Sequence, residues 1–245
     1  MIPLAKENPK LVGTKILDCI PQTGMCPVGC VECYYNGPMW YRTRDEPLIP
    51  SKIEADGRVV RFNTGLDSNV EREKVIEASK DYEDFFFNTA IPRFDFPGPV
   101  VFTCNSKAVT KSAPADSIAY FADFDEAENL MYVRFRLNTW NVDLADEVVK
   151  YYADWFQVPV VMTFMRYSDE NNIPEDQKSN YTYEKHIVNS YWLMKDDVKR
   201  QIMHSWADNG MVYMCGTYDS DLCRDCENCW NLYWRWKRLS ERKVP

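Results

Sequence analysis

The chain contains nine cysteines, and their number and spacing indicate a more specific chemistry than any other residue type does. Three of them fall within residues 26–33 and four within residues 215–229, whereas Cys19 and Cys104 stand apart. Disulfides would require an oxidising compartment, but the count is odd, and residues 1–7 show no basic segment leading into an apolar stretch. Two dense groups of thiols are instead typical of metal-ligand sets, so we expect a cytoplasmic metal-binding protein.

The first cysteine group consists of Cys26, Cys30 and Cys33, with three and then two residues between the cysteines. It comes directly after a predicted strand, where the ligand-binding loop of an α/β barrel would lie. Three thiolates on a short loop can hold three irons of a 4Fe–4S cluster and leave the fourth iron open to a small molecule. Zinc is the alternative, but it usually takes four ligands in paired spacings, and Cys19 is the only nearby spare.

This loop, C-x3-C-x2-C after the first strand, resembles that of the radical S-adenosylmethionine (SAM) superfamily. The resemblance implies an incomplete (β/α) barrel and an enzyme that reductively cleaves SAM at the open iron, giving a 5′-deoxyadenosyl radical that abstracts hydrogen from its substrate. It also implies an electron donor such as flavodoxin or ferredoxin. The sequence departs from the family at Glu32, where an aromatic residue often precedes the last cysteine. Tyr34 and Tyr35 follow that cysteine, and either could contact the adenine.

The segment after the second predicted strand also departs from the family, because the usual glycine-rich sequence that binds the SAM amino group is missing. Residues 63–69, Asn-Thr-Gly-Leu-Asp-Ser-Asn, stand in its place. Gly65 allows a close backbone approach, and Asn63 or Asp67 could accept hydrogen bonds from an ammonium group. We therefore expect these three residues and Ser68 to contact the cofactor.

Two predicted strands carry one polar face. Polar and apolar residues alternate over 131–138 and over 60–63, with Arg134, Arg136, Asn138, Arg61 and Asn63 on the polar sides. A parallel strand covered on both sides should be apolar on both faces, so a polar face indicates either a lined cavity or an edge strand. Two such strands favour the cavity. Our hypothesis is that one of Arg134 and Arg136 anchors the SAM carboxylate and the other an acidic substrate group, with Asn138 beside them; an ordinary buried salt bridge is the alternative.

The second cysteine group, Cys215, Cys223, Cys226 and Cys229, has the spacing C-x7-C-x2-C-x2-C. Its last part matches the spacing of ferredoxin-type cluster loops, which favours a second 4Fe–4S cluster. A structural zinc site with four cysteines remains open. Either metal would pin the C-terminal helix to the barrel and close one of its ends.

Strand and helix signals alternate along most of the chain, which predicts parallel βαβ units and hence an α/β barrel or open sheet. The predicted strands cover residues 14–20, 58–63, 85–89, 99–105, 131–138, 158–164 and 211–216, and the predicted helices cover 70–82, 143–156 and about 183–207. Asp67, Ser68 and Asn69 are capping candidates for the first helix. We expect a partial barrel over residues 1–214 and a cysteine-rich extension with a C-terminal helix over 215–245.

Cys104 ends a predicted strand, where barrel enzymes collect catalytic side chains. It could donate a hydrogen atom to a substrate radical, which would make it catalytic. The alternative is a small buried hydrophobic residue, a common environment for a free cysteine.

Charge and hydropathy limit the classes of molecule that we expect the protein to bind. A net charge of −8 argues against broad attraction to nucleic acid, although the basic and aromatic tail over 233–243 could stack on one. Such a tail is more often the solvated end of a helix. No apolar run reaches the roughly 18 residues of a membrane helix. We expect a small-molecule, nucleotide or peptide substrate; the alternative is a noncatalytic iron–sulfur or zinc protein for electron transfer or partner binding.

Overall fold

The main sheet has seven parallel strands. The computed structural model describes residues 8–28, 33, 46–104, 128–185 and 190–242. Its strands are, in chain order, β1 (Ile16–Cys19), β2 (Val59–Phe62), β3 (Phe85–Thr89), β4 (Val100–Cys104), β5 (Leu130–Leu137), β6 (Val160–Phe164), β7 (Arg166–Tyr167), β8 (Tyr181–Glu184), β9 (Tyr191–Met194) and β10 (Val212–Met214). The main sheet has the order β1-β2-β3-β4-β5-β6-β10 and curls into a half-barrel. The predicted α/β class and incomplete barrel are therefore confirmed, and each of the seven predicted strands is present to within two residues at either end.

The helices are short. They are α1 (Lys52–Ala55), α2 (Arg72–Ser79), α3 (Val142–Val148), α4 (Asp196–His204), α5 (Cys223–Cys226) and α6 (Asn228–Glu241). The helix predicted over 143–156 is α3 continued by a π-helical segment, Val149–Trp155. Among the residues described, the longest helix is α6, with 14 residues. Within the described ranges, no helix is both long and apolar enough to cross a membrane.

The outer face of the curled sheet is the larger part of the core. Alternate strand residues such as Phe62, Phe102 and Phe135 are buried there, against Val75 of α2 and Tyr152 of the π-helical segment. Each such buried side chain stabilises the fold by roughly 1.5–3 kcal/mol relative to exposure. The helices therefore cover the convex side of the sheet and leave its concave side for other contacts.

The concave face changes character along the strands. Near the amino ends it is apolar, with Val59, Phe86 and Tyr132 packed against Leu232 and Tyr233 of α6. This apolar part, which we call the floor, is covered by α6. Nearer the carboxyl ends the same face carries polar side chains. The C-terminal helix therefore closes one end of the half-barrel and leaves the other end for a cavity.

The helix predicted over about 183–207 is wrong in its first half. Residues 181–194 contribute β8 and β9, which pair with β7 in a small antiparallel sheet of order β7-β9-β8, and the helix itself is α4. Aromatic residues have high strand propensity, and Tyr183 and Trp192 form a cross-strand pair with ring centroids 5.4 Å apart. The apolar residues that suggested one long helix are mostly strand residues.

The predicted helix caps are also wrong. Helix α2 begins at Arg72, and its N-cap Glu71 has a left-handed backbone (φ 47°) and no side-chain cap. Asp67 instead accepts hydrogen bonds from the backbone N–H of Ala90 (2.6 Å) and from the Thr89 hydroxyl (2.8 Å). Its carboxylate therefore ties the loop after β2 to the loop after β3 rather than starting a helix.

Candidate active site

One cavity of about 860 Å³ contains described members of both cysteine groups. The cysteines that line it are Cys26 and Cys33 of the first group and Cys215, Cys223, Cys226 and Cys229 of the second. Strands β1 and β10, which lead into the two groups, are the opposite edges of the sheet, so the curl of the half-barrel brings the groups to one space. The volume lies within the usual range of ligand sites, about 300–1,000 Å³. Cys30, Tyr34 and Tyr35 lie outside the described residues.

The wall between the two groups is polar. The polar residues that line it from the strands are Arg61, Asn88, Thr103, Arg134, Arg136 and Thr163, together with Asn63 directly after β2. Both polar faces that the sequence alternation predicted are thus turned towards a cavity rather than towards an open edge. The roles of Arg134 and Arg136 in binding stay predictions.

Arg61 forms a buried ion pair with Asp18 on the neighbouring strand. The Arg61 Nε and the Asp18 Oδ1 are 2.8 Å apart, and the Thr64 hydroxyl also donates to Asp18 Oδ1, at 2.6 Å. Burial disfavours the charge on Arg61, but Asp18, Cys229 and Cys223 together hold its pKa well above the ordinary value. The sequence alternation placed Arg61 on the polar face but gave no sign of its partner.

Arg134 lies in the middle of the wall. Its guanidinium nitrogens donate to the Tyr132 hydroxyl (3.1 Å), to Thr103 Oγ1 (3.4 Å) and to Asn88 Oδ1 (3.5 Å). These neutral oxygens hold the planar group in place along one side. Arg136 follows two residues later on the same face, about 7 Å nearer the carboxyl end of β5 given a rise of roughly 3.3 Å per residue.

Tyr132 connects Arg134 to the second cysteine group. Its hydroxyl lies 3.2 Å from the Cys229 sulfur, and the residue is almost fully buried. Burial, followed by the proximity of Cys229, raises the pKa of Tyr132, so the phenol stays protonated and able to donate. Sequence reasoning missed Tyr132, although it shares the strand parity of Arg134 and Arg136.

The second cysteine group is surrounded by cations. Lys10 interacts electrostatically with Cys215 and Cys223, and Arg166 with Cys215. Burial raises the pKa of Cys223 to about 11; Arg61 opposes that rise, while the three other cysteines of the group reinforce it. The four thiols are therefore close enough to influence one another, in a setting that would compensate negative thiolates. Neither Lys10 nor Arg166 was singled out from the sequence.

Local backbone geometry turns the second group towards the cavity. Gly216, directly after Cys215, has φ +84°, and a side-chain carbon there would lie 2.8 Å from the Ser220 carbonyl oxygen. Glu227 also has a left-handed backbone (φ 49°), which separates α5 from α6 and redirects the chain between Cys226 and Cys229. These two sharp turns allow residues 215–229 to fold back on themselves.

The donor chemistry of both groups fits a metal–thiolate site. Thiolates are soft ligands suited to iron–sulfur clusters and zinc. In the part of the chain that the structure describes, no three His, Cys, Asp or Glu side chains are already arranged to hold a metal ion. Because metal binding draws its ligands together and is coupled to local folding, we expect the cysteine side chains to rearrange around the metal.

The predicted cofactor loop divides into two parts. Asn63, Gly65 and Asp67 line the cavity. Ser68 lies behind them and accepts a 3.1 Å hydrogen bond from the Asn63 amide. Asn138 comes after the end of β5, so its side chain no longer follows the alternation of the strand residues. It is buried, and its side-chain amide donates a 3.4 Å hydrogen bond to the Tyr167 hydroxyl. Ser68 and Asn138 thus support neighbouring residues rather than line the cavity.

Cys104 lies on the other face of the sheet. It is buried in the core of the outer face, where the Tyr152 hydroxyl is its hydrogen-bond partner, and burial raises the pKa of its thiol. Its neighbour Thr103 has the opposite parity and lines the cavity. This position does not suit a hydrogen-atom donor in the cavity and fits the small buried hydrophobic residue that was the alternative.

The candidate site is therefore a polar cavity between two cysteine groups. The described thiols of both groups, the β5 arginines and the loop over 63–67 all face it. No protein-family model, curated protein or solved structure matches the chain, so its function is inferred from these residues.

Proposed function

We propose that this chain is a radical SAM enzyme that holds a 4Fe–4S cluster on Cys26, Cys30 and Cys33. The observation that carries the proposal is the C-x3-C-x2-C loop at the carboxyl end of β1, two of whose cysteines open into a cavity walled by polar strand residues. When bound, the cluster and SAM would supply the radical chemistry that removes a hydrogen atom from the substrate. The reaction takes place on a substrate held in the same cavity.

The protein supplies binding, orientation and exclusion of water. Asn63 and Asp67, beside Gly65, offer oxygen acceptors to the SAM amino group. The β5 arginines offer planar donors to carboxylates. The floor, covered by α6, keeps bulk water away from one side of the cavity, which protects a reactive radical from side reactions.

The second cysteine group holds a further metal centre, for which we favour a 4Fe–4S cluster over zinc. Its C-x2-C-x2-C spacing supports this choice. Its position also supports it, because the cysteines face the cavity instead of stapling the outer surface. Lys10, Arg61 and Arg166 would balance the charge of the thiolates in either case.

The test is low-temperature electron paramagnetic resonance of anaerobically reconstituted, reduced protein with and without SAM. We expect a 4Fe–4S signal that SAM perturbs. The perturbation should disappear in Cys33→Ser and persist in Cys104→Ala, a cysteine of neither group. A second signal that SAM leaves unchanged would come from the C-terminal centre.

The opposite result is equally informative. If SAM leaves every signal of a fully loaded sample unchanged, the radical SAM proposal fails. A noncatalytic protein that uses its cysteines for electron transfer or partner binding would then be the better account.

A further inference from the structure

The cavity is cationic, although the chain as a whole carries a net charge of −8. Of the described residues that line it, seven are cationic, namely Lys10, Lys15, Arg61, Arg134, Arg136, Arg166 and Lys185, and two are acidic, namely Asp67 and Glu227. Two further carboxylates do not line the cavity but form ion pairs with residues that do: Asp18 pairs with Arg61, and Asp221 pairs with Arg166. Glu184 also acts on Arg166, and with these three carboxylates included the described cations still exceed the described carboxylates by two. Such a focused positive field attracts anionic ligands.

Part of this positive charge belongs to the second cysteine group. Lys10, Arg61 and Arg166 all interact electrostatically with its cysteines. A metal centre bound there would place negatively charged thiolates next to these three cations. The arginines of β5 are separate from this set, because they extend along the wall from the floor towards the carboxyl ends of the strands.

The two β5 arginines occupy different levels of the cavity. Arg134 contacts Tyr132, which contacts Cys229 of the second group. Arg136 lies two residues further along the strand, about 7 Å nearer the carboxyl ends of the parallel strands, from which both cysteine groups depart. An anion at Arg134 would therefore lie next to the side chain that contacts the second cysteine group, and one at Arg136 would lie nearer the carboxyl ends of the strands.

The size of the cavity limits the occupant. Its 860 Å³ is near the upper end of the range of roughly 300–1,000 Å³ for small-ligand sites. That space suits SAM together with one further small molecule. It does not suit a folded protein or a duplex, which would need an open face of far greater area.

We propose that the substrate is a small molecule with a phosphate or carboxylate group, and that Arg134 binds this group while Arg136 binds the SAM carboxylate. This assignment rests on the proposed function. A guanidinium binds either kind of anion through two parallel N–H donors. Asn88, Thr103 and Tyr132 fix the orientation of the Arg134 fork, so little side-chain freedom is lost on binding.

The first experiment measures anion binding to the full, metal-loaded chain without SAM. Inorganic pyrophosphate and citrate are the probes, titrated separately by isothermal calorimetry. We expect Arg134→Gln to weaken binding of the preferred probe by about tenfold or more, Arg134→Lys to retain part of it, and Arg136→Gln to have the smaller effect. Arg93→Gln, an exposed arginine outside the cavity, makes the same change in net charge and should bind within about twofold of the parent.

Comparison of the pyrophosphate and citrate titrations identifies the class of anion that the site binds. Tighter binding of pyrophosphate indicates a phosphate-bearing substrate, and tighter binding of citrate indicates a carboxylate. In a matched experiment, SAM should still perturb the first-cluster resonance signal of Arg134→Gln and should lose that effect in Arg136→Gln.

Several outcomes would overturn the assignment. Failure of both probes to bind, or equal binding by Arg134→Gln and Arg93→Gln, would remove the anion site. If a single-stranded 20-residue oligonucleotide binds more tightly than both probes and its binding depends on Arg134, the substrate is a nucleic acid and not a small molecule. Failure of the radical SAM proposal itself is a separate result, because the anion titration contains no SAM and the SAM experiment contains no anion.

Discussion

The Tyr132 hydroxyl accepts a 3.1 Å hydrogen bond from Arg134 and lies 3.2 Å from the sulfur of Cys229. A metal-bound thiolate can only accept a hydrogen bond, so with metal on Cys229 the O–H of Tyr132 is directed to the sulfur. The second cysteine group is thus connected to the cavity wall through one buried side chain. A hydrogen bond to a metal-bound thiolate acts from outside the ligand set and tunes the centre.

Removal of this hydroxyl should weaken the second metal site. We expect Tyr132→Phe to lower metal affinity there by roughly 10–100-fold, the usual effect of losing a hydrogen bond to a ligand. Chelator competition with metal analysis measures the change, and the SAM-responsive signal of the first group should remain.

A second tyrosine provides the control for this prediction. Tyr82 donates a 2.6 Å hydrogen bond to the Pro50 carbonyl and does not line the cavity. Tyr82→Phe therefore removes a comparable hydrogen bond elsewhere and should leave metal affinity unchanged. Equal affinity in Tyr132→Phe and Tyr82→Phe would show that the contact with Cys229 is incidental.

The polar faces of the strands could be predicted from the sequence because they depend on local alternation. Arg134 and Arg136 share a face through the period of two residues, whatever surrounds the strand. The partner of Arg61 could not be predicted in this way. Asp18 is 43 residues away, and its contact depends on the register of β1 against β2.

The floor and the small sheet were unpredictable for related reasons. Tyr132 and Cys229 are 97 residues apart and meet only because α6 packs into the concave face. The antiparallel pair of β8 and β9 resembles a helix in sequence, since its apolar residues continue into the amphipathic α4. Tertiary pairing decided between the two structures there.

The Asp18–Arg61 pair should be the costliest ion pair to break in the described part of the chain. Both side chains are almost fully buried, so Asp18→Asn leaves a buried guanidinium without its carboxylate. We expect a loss of about 3–5 kcal/mol in the free energy of unfolding of the metal-free protein. The loss should be smaller in the metal-loaded protein, because thiolates of the second group also face Arg61.

Urea unfolding with and without metal measures both values. Asp81→Asn is the matched control, since Asp81 pairs with Lys52 on the surface and such pairs contribute roughly 0–1 kcal/mol. An Asp18→Asn variant no less stable than Asp81→Asn would contradict the prediction. Equal losses with and without metal would show that the thiolates do not compensate Arg61.

Gly216 should be required for the second metal site. Its backbone (φ +84°) is unfavourable for any residue with a side chain, and an added carbon would approach the Ser220 carbonyl to 2.8 Å. Gly216→Ala should therefore destabilise the chain by about 1–3 kcal/mol and reduce metal loading at Cys215. Gly210→Ala is the control, because nothing lies within 4 Å of the added carbon. Thermal melting measures the stability of the two variants, and metal analysis measures their loading. Full metal loading of Gly216→Ala would contradict the role of the turn.

The C-terminal helix should stay bound to the floor when the second metal is removed. Leu232 and Tyr233 are buried, and Asp84 accepts hydrogen bonds from the Tyr233 hydroxyl (2.8 Å) and from Lys237 Nζ (2.6 Å). These contacts do not involve a cysteine. Residues 215–227, by contrast, contribute only Cys223 to the packing against the floor and contain two sharp turns, so we expect their order to depend more on the metal than that of α6 does.

Amide hydrogen exchange before and after chelation tests this division. We expect exchange over residues 215–227 to accelerate by roughly tenfold or more and exchange over residues 232–241 to change by less than about threefold. Lys237→Gln should loosen the helix whether metal is present or not, because it removes a contact with Asp84. If chelation instead releases residues 232–241 to the same extent as 215–227, the metal holds the whole C-terminal segment. The apolar contacts of α6 with the floor would then be too weak to keep the half-barrel closed.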